Sequence, residues 1–159
     1  MAPSAQQKKR DLDQKIVAKN RRARFDYEIL ETLEAGMVLR GSEVKSIRAG
    51  KASIAEAYGR MADGEVWLLK MHVQEYLDAA SFNHLPDRRR KLLLSKREIK
   101  KWHKRVTQEG LTIVPLTLFF NERGFAKIEI ALAKGRKSHD KRQAIKKRET
   151  SREMKRFAR

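Results

Sequence analysis

Apolar and polar residues alternate in two well-separated segments of the chain. The alternation runs from Phe25 to Ile29 and again from Phe125 to Leu132. A period of two places every second side chain on a buried face and the others in solvent, as in a β-strand. Further strands are predicted where apolar, β-branched and aromatic residues cluster. These segments are residues 37–39, 54–61, 65–71 and 112–120.

Turn-forming residues lie between and within these strands. Asp63-Gly64 predicts a tight hairpin, because glycine readily adopts the positive φ that such a turn needs. Pro115 has no N–H to donate to a neighbouring strand, so it indicates an edge position or a bulge. Residues 121–124 predict another turn, and residues 78–91 are expected to be irregular.

Two short helices are also predicted. Residues 42–48 place two apolar side chains three residues apart on one face, and Gly50 suits the end of that helix. The second helix begins with a capping box, in which Ser95 and Glu98 satisfy each other's backbone N–H. Apolar residues then follow at helical spacing until Gly110 ends the helix.

These elements predict a mainly β fold with small α content, arranged as an antiparallel β-barrel with flanking helices. Closure into a barrel is favoured because it removes exposed strand edges. A partly open sheet packed on the Ser95–Gln108 helix is the alternative. Periodicity does not distinguish the two shapes, since both bury one face of each strand.

The chain has 159 residues and a formal net charge of +18, most of it at the two ends. Residues 1–24 carry +6, residues 134–159 carry +9, and the middle carries only +3. This excess indicates a polyanionic partner, either nucleic acid or an anionic membrane surface. Basic ends on a nearly balanced body favour nucleic acid, because they can follow a phosphate backbone. The alternative is that they only keep the protein soluble.

The charge distribution divides the chain into three parts. Residues 1–14 are expected to be a flexible basic segment, and residues 15–133 an RNA-binding β-barrel domain. Residues 134–159 form a basic tail with few large apolar side chains. Little surface can be buried there to offset the entropy of ordering, so we expect the tail to be disordered when free and helical when bound to RNA.

The sequence lacks the features of several other protein classes. No stretch reaches the roughly 18–20 apolar residues of a membrane span and no secretory signal is evident, so a cytoplasmic protein is expected. There is no cysteine and the four histidines lack metal-ligand spacing, so no cofactor is expected. The best enzymatic alternative is an Mg²⁺-dependent RNase in which Glu31, Glu34 and Glu43 converge; otherwise they are ordinary surface residues.

Two basic clusters supply cations for RNA phosphates. Arg88, Arg89, Arg90 and Lys91 precede three leucines, which can anchor the segment while four cations remain at the surface. A solvated face beside a buried strand is the alternative. The second cluster surrounds a glycine that lets the backbone approach a phosphate, and its histidine can stack on a base. It comprises Lys134, Gly135, Arg136, Lys137, His139, Asp140, Lys141 and Arg142.

Four motifs, in order along the chain, closely resemble the SsrA-binding protein family, also called small protein B. The most specific are Glu-Val-Lys-Ser-Ile-Arg-Ala-Gly-Lys at 43–51 and Ala-Lys-Gly-Arg-Lys-Ser-His-Asp-Lys-Arg at 133–142. The other two are Asn-Arg-Arg-Ala at 20–23 and Arg-Lys-Leu-Leu-Leu at 90–94. The resemblance extends from about residue 15 to residue 148.

The resemblance implies a non-enzymatic RNA-binding protein, expected to be a monomer, with a barrel similar to an oligonucleotide-binding fold. Its implied partner is the tRNA-like domain of transfer-messenger RNA (SsrA), which such proteins deliver to stalled ribosomes for trans-translation. The second basic cluster is implied to act on the 70S ribosome at the small-subunit decoding centre, while the tail becomes helical in the empty mRNA channel. Family tails often carry a tryptophan near Thr150, which this chain lacks.

The residues predicted to bind RNA come from the basic clusters and from positions that match the family's motifs. Glu34 and Leu93 match contact positions, and Ser95 stands where the family often has asparagine, although its capping role competes with an RNA contact. The full set is Asn20, Arg21, Arg22, Glu34, Lys45, Arg48, Lys51, Arg88, Arg89, Arg90, Lys91, Leu93 and Ser95.

Two other functional classes remain open. A structural ribosomal protein would also carry basic tails, but it would stay on ribosomal subunits in high salt, whereas a delivery factor would be washed off. An Mg²⁺-dependent RNase would cleave transfer-messenger RNA on incubation.

Overall fold

A computed structural model describes residues 15–78, 83–136 and 138–158, and this part of the chain contains nine strands and four helices. The strands are β1 (Lys15–Lys19), β2 (Tyr27–Met37), β3 (Ala52–Ser53), β4 (Tyr58–Ala62), β5 (Glu65–Leu69), β6 (His72–Val73), β7 (Arg90–Leu93), β8 (Thr112–Phe120) and β9 (Ala126–Gly135). The helices are α1 (Ala23–Asp26), α2 (Gly41–Arg48), α3 (Lys96–Glu109) and α4 (Ser138–Phe157). The expected flexible segment 1–14 lies outside the described residues.

The longer strands form one antiparallel ring. Seven of them hydrogen-bond in the order β1-β8-β4-β5-β7-β2-β9, and β9 also pairs with β8, so six strands close on themselves. The contact between β4 and β8 is a single residue pair, Gly59 with Ile113. β3 and β6 pair separately. The mainly β class with small helices is confirmed.

The inward faces of the ring and one face of α3 form the main core. Along β5, Val66 and Leu68 are fully buried, and the neighbouring positions are only half-buried, as alternation predicts. Trp102 of α3 is fully buried in the same core. Packing against the ring therefore holds α3 in place, although most of the helix surface is charged.

Local sequence signals place several turns and ends correctly. Asp63 and Gly64 both have positive φ, 54° and 70°, as a two-residue hairpin between β4 and β5 requires. Gly110 ends α3 with a φ of 62°. The register shifts between Pro115 and Thr117, which confirms the bulge in β8.

Three strand predictions are corrected by the structure. Phe25 lies in α1, and the strand begins only at Tyr27. β2 continues through Ala35-Gly36 to Met37, so no separate strand covers 37–39. The predicted strand 54–61 is interrupted by a turn, in which the Ala57 N–H bonds to the Ile54 carbonyl. For residues 37–39, the pairing of Gly36 and Met37 with strands distant in sequence outweighed the local pattern.

The basic tail is helical in the structure from Ser138 to Phe157. No glycine or proline follows Gly135, so no residue interrupts the helix. β9 extends to Gly135, two residues beyond the predicted end of the body. Disorder of the tail in the free chain stays a prediction.

Candidate nucleic-acid interface

The outer side of β2, β7 and β9 presents an exposed leucine between charged residues. Gly36 of β2 pairs with Leu93 of β7 on one side and with Lys127 of β9 on the other. Directly paired residues point to the same side of a sheet, and Glu34 lies two positions from Gly36, so all four share this side. We call Glu34, Gly36, Lys91, Leu93 and Lys127 the Leu93 face.

Glycine at position 36 allows this face to be flat. A Cβ there would lie 3.3 Å from Leu93 Cδ1 and 3.6 Å from Lys127 Nζ. Leu93 therefore lies beside the bare backbone of β2, and it remains 52% exposed. The structural role of Gly36 is therefore to allow close approach of neighbouring side chains.

The Leu93 face continues onto the hairpin formed by β4 and β5. Lys91, two residues before Leu93, pairs with Trp67 of β5, and Trp67 pairs with Arg60 of β4. The Arg89 guanidinium carbon lies 4.5 Å from the centre of the Trp67 ring. Trp67 was missed in the sequence, although an aromatic residue at an outward position of a predicted strand is a usable signal.

The first basic cluster divides between the surface and the core. Arg90 is fully buried, and its guanidinium donates to Glu43 Oε1 at 2.9 Å and to the Met71 carbonyl at 2.6 Å. Arg88 forms a two-bond pair with Glu43 at 3.1 and 2.7 Å. The prediction of four surface cations is therefore wrong for Arg90. Strand alternation in β7 turns it inward, leaving Arg89 and Lys91 outside.

Glu43 is a buried carboxylate held entirely by donors. Burial alone would raise the pKa of Glu43, but hydrogen bonds from Arg88 and the Arg40 N–H, with the charge of Arg90, lower that pKa below its usual value. The ion pairs join α2 to β7 and to the segment before it. Glu43 is therefore a structural residue and not a surface carboxylate.

The other two carboxylates of the alternative Mg²⁺ site, Glu31 and Glu34, lie in different environments. Glu31 accepts from Lys101 at 2.9 Å and from Arg105 at 3.1 Å, and the bond from Lys101 is the main cause of its lowered pKa. Glu34 faces outward on β2 beside Glu129. In the described ranges no group of three His, Cys, Asp or Glu residues has metal-binding geometry.

Helix α2 presents cations on its outer side. Lys45, Arg48 and the following Lys51 are exposed, whereas Ile47 is fully buried. Lys45 Nζ lies 5.3 Å from the Tyr76 ring centre. Their contacts with RNA phosphates stay a prediction, and they belong to a different element from the Leu93 face.

A polar cleft of about 520 Å³ lies where the tail leaves the body. Arg22, Arg136 and Lys141 line the cleft together with Asp26, and Lys141 Nζ lies 3.7 Å from that carboxylate. Lys134 is exposed at the end of β9. The structure thus brings the N-terminal motif and the second basic cluster together.

The structure places the other predicted residues near the tail in different ways. Asn20 is a structural residue, since its backbone N–H donates to the Leu116 carbonyl at 2.8 Å and its amide to the Pro115 carbonyl at 3.1 Å. Arg21 is exposed. Arg142 is exposed on α4, the side chains of His139 and Asp140 are not described, and Lys137 lies outside the described residues.

Ser95 caps α3, as its sequence position predicts. Its Oγ accepts the Glu98 N–H at 3.2 Å. Replacing Ser95 with alanine should lower the stability by about 1 kcal/mol, while threonine, which is also uncharged, should retain most of the cap. Thermal unfolding and RNA affinity should be measured for both variants. A cap alone predicts unchanged affinity at a temperature where both variants are folded; weaker RNA binding by fully folded Ser95→Ala would identify an RNA contact.

The chain matches a known protein family over most of its length. The model of the family described as SmpB protein matches residues 17–159. The chain belongs to the SmpB family. SmpB-family relatives named SsrA-binding protein occur in Azorhizobium caulinodans, 55% identical over 155 residues (98% of this chain and 97% of that protein), and in Rhizobium etli, 55% identical over 157 residues (99% and 97%).

A solved structure extends this SmpB-family assignment to the fold. The structure, described as "tmRNA-SmpB: a journey to the center of the bacterial ribosome", contains a chain 48% identical to this one, with a TM-score of 0.64. The match covers 80% of this chain and 92% of that chain. In the described part of this SmpB-family chain, no helix is long and apolar enough to cross a membrane.

Proposed function

We propose that this chain binds the tRNA-like domain of transfer-messenger RNA (SsrA) and delivers it to stalled ribosomes for trans-translation. The relatives named SsrA-binding protein match this chain over nearly the whole length of both proteins. The description of the similar solved structure names tmRNA-SmpB and the bacterial ribosome. The observation that carries the RNA-binding step is the Leu93 face, an exposed apolar side chain between cations on a rigid sheet. No catalytic step is proposed.

The proposed task of the Leu93 face is to recognise a folded RNA by its shape. Leu93 can pack against a sugar or an unstacked base, while Lys91 and Lys127 meet phosphates. Glu34 can accept hydrogen bonds from base edges or 2′-hydroxyl groups. Because the face lies on three paired strands, these groups hold their spacing without a large loss of entropy on binding.

The proposed ribosomal contacts lie at the polar cleft and on α4, where Arg136 and Lys141 supply cations. Arg22 at the same cleft and the exposed Lys45, Arg48 and Lys51 are proposed to contact phosphates of the transfer-messenger RNA. We propose that the tail is disordered in the free protein and forms its helix in the vacant mRNA channel. Apart from Lys141, the α4 side chains whose burial is described are exposed, which supports this proposal because a helix with little packing is only marginally stable by itself.

The finer architecture is part of the same proposal. We propose that the six-stranded ring is a small barrel similar to an oligonucleotide-binding fold, and that the protein works in the cytoplasm as a monomer. Closure of β8 through β9 and β4 supports the barrel. The proposed ribosomal partner supports the cytoplasmic location.

Replacing Leu93 with aspartate should reduce affinity for the tRNA-like domain at least about tenfold, because it places a carboxylate against phosphates and removes the apolar contact. Leu85→Asp is a matched control, since Leu85 is 73% exposed and lies outside the face. Filter binding should compare the tRNA-like domain with an RNA duplex of equal length at physiological ionic strength. A wild-type protein that does not prefer the tRNA-like domain would contradict the proposed function.

A further inference from the structure

The outer side of the β4–β5 hairpin holds a tryptophan in a fixed orientation. Trp67 is half-buried between its cross-strand neighbours Arg60 and Lys91. Its indole Nε1–H donates to the Ala62 carbonyl at 3.3 Å, which restricts rotation of the ring. The indole is thus a rigid part of the sheet surface and not a mobile side chain.

Arg89 covers this tryptophan and remains open to solvent on its other side. Its guanidinium carbon lies 4.5 Å from the Trp67 ring centre, within the range of a cation–π contact. Arg89 is exposed, and in the described residues no carboxylate pairs with it. The adjacent Arg88 and Arg90 are both bound to Glu43. Arg89 therefore differs from its neighbours in having a guanidinium available to a ligand.

We propose that Arg89, held over Trp67, is a stacking platform for one unpaired base of the bound RNA. The platform adjoins the Leu93 face, because Lys91 is paired with Trp67 and lies two residues before Leu93. Lys91 and Arg60 flank it as phosphate contacts. The present partner of Lys91, Glu65 at 3.3 Å, is half-exposed and easily exchanged for a phosphate. The inference rests on the proposed function and adds a specific contact to it.

The chemistry of the two groups supports a base as the ligand. A guanidinium is planar and weakly hydrated, so it stacks on bases, whereas a lysine ammonium is a strongly hydrated point charge. The indole holds Arg89 in place before binding, so less side-chain entropy is lost when a base arrives. A duplex has no unstacked base to offer, so the platform favours RNA with exposed loop nucleotides.

Lysine at position 89 separates stacking from charge. In the full-length protein, Arg89→Ala and Arg89→Lys should both weaken binding of the tRNA-like domain transcript by about 5- to 150-fold. Neither change should lower the dependence of log K on log salt by the 0.7–0.9 that loss of one phosphate contact causes, because Arg89 contacts a base and not a phosphate. Circular dichroism and thermal unfolding would confirm that both variants are folded.

Three outcomes separate this inference from the proposed function. If Arg89→Lys retains wild-type affinity, the residue supplies charge only and the stacking platform is overturned. If Arg89→Ala has no effect while Leu93→Asp weakens binding, the platform is overturned and the proposed function stands. If neither change weakens binding of the tRNA-like domain, the proposed RNA-binding face itself is wrong.

Discussion

Deleting residues 137–159 should abolish tagging on stalled ribosomes and leave affinity for the tRNA-like domain nearly unchanged. The truncated chain retains every described strand, since β9 ends at Gly135, and it retains the bond from the Arg136 N–H to the Asp26 carbonyl. The deleted residues carry a net charge of +7. α4 contacts the body through Lys141 with Asp26 and Arg148 with Phe25, and none of these belongs to the Leu93 face.

The experiment needs a variant that removes the helix without removing charge. Thr150→Pro should be as inactive as the truncation, because proline inside a helix costs about 3 kcal/mol. Thr150→Ala loses only the bond from Oγ1 to the Lys146 carbonyl and should stay active. Tagging would be measured in reconstituted translation of a truncated message. Joint loss of RNA affinity and tagging in the truncated protein would instead assign the tail to RNA capture.

Replacing Glu43 with alanine should lower the free energy of unfolding by about 3–5 kcal/mol, a large part of a typical domain's stability. The substitution leaves the fully buried guanidinium of Arg90 without its carboxylate and releases Arg88 as well. Urea unfolding would measure the loss. Glu31→Ala is the matched control, because Glu31 forms partly exposed ion pairs and its loss should cost about 1 kcal/mol or less.

The same site predicts a dependence on pH. Because folding lowers the pKa of Glu43, its ionised form stabilises the native state above the unfolded pKa, which is about 4.3. The contribution is lost as the pH falls through the lower folded pKa. The stability difference between wild type and Glu43→Gln should therefore be constant near pH 7 and should narrow below about pH 4.3. A difference that does not change with pH would contradict this role.

The sequence was least informative where two roles share one residue type. In the run from Arg88 to Lys91 all four residues are cations, so composition predicts a single basic patch. The structure splits it, because β7 alternates between the core and the surface and Glu43 on a distant helix compensates the buried charges. The ion pair between Arg90 and Glu43 was not predicted, because the two residues lie 47 positions apart in the sequence.

The candidate site was predictable in part. Leu93 was identified through the family's motif, and its 52% exposure agrees with a surface role. Lys127 and Trp67 were missed, since each joins the site through strand pairing and not through a motif. Register between strands depends on contacts across the whole sheet, which no local window of sequence contains.

Local interactions were determined by the sequence itself. The hairpin at Asp63-Gly64, the Ser95 cap, the end of α3 at Gly110 and the bulge at Pro115 depend on backbone preferences and on neighbours within a few residues. The charge of the two ends is likewise a property of composition. Only the tertiary structure decided which arginines are buried, which side chains lie against Gly36 and which residues share the Leu93 face. These features arise from contacts between residues far apart in the chain, whose free energies exceed local preferences.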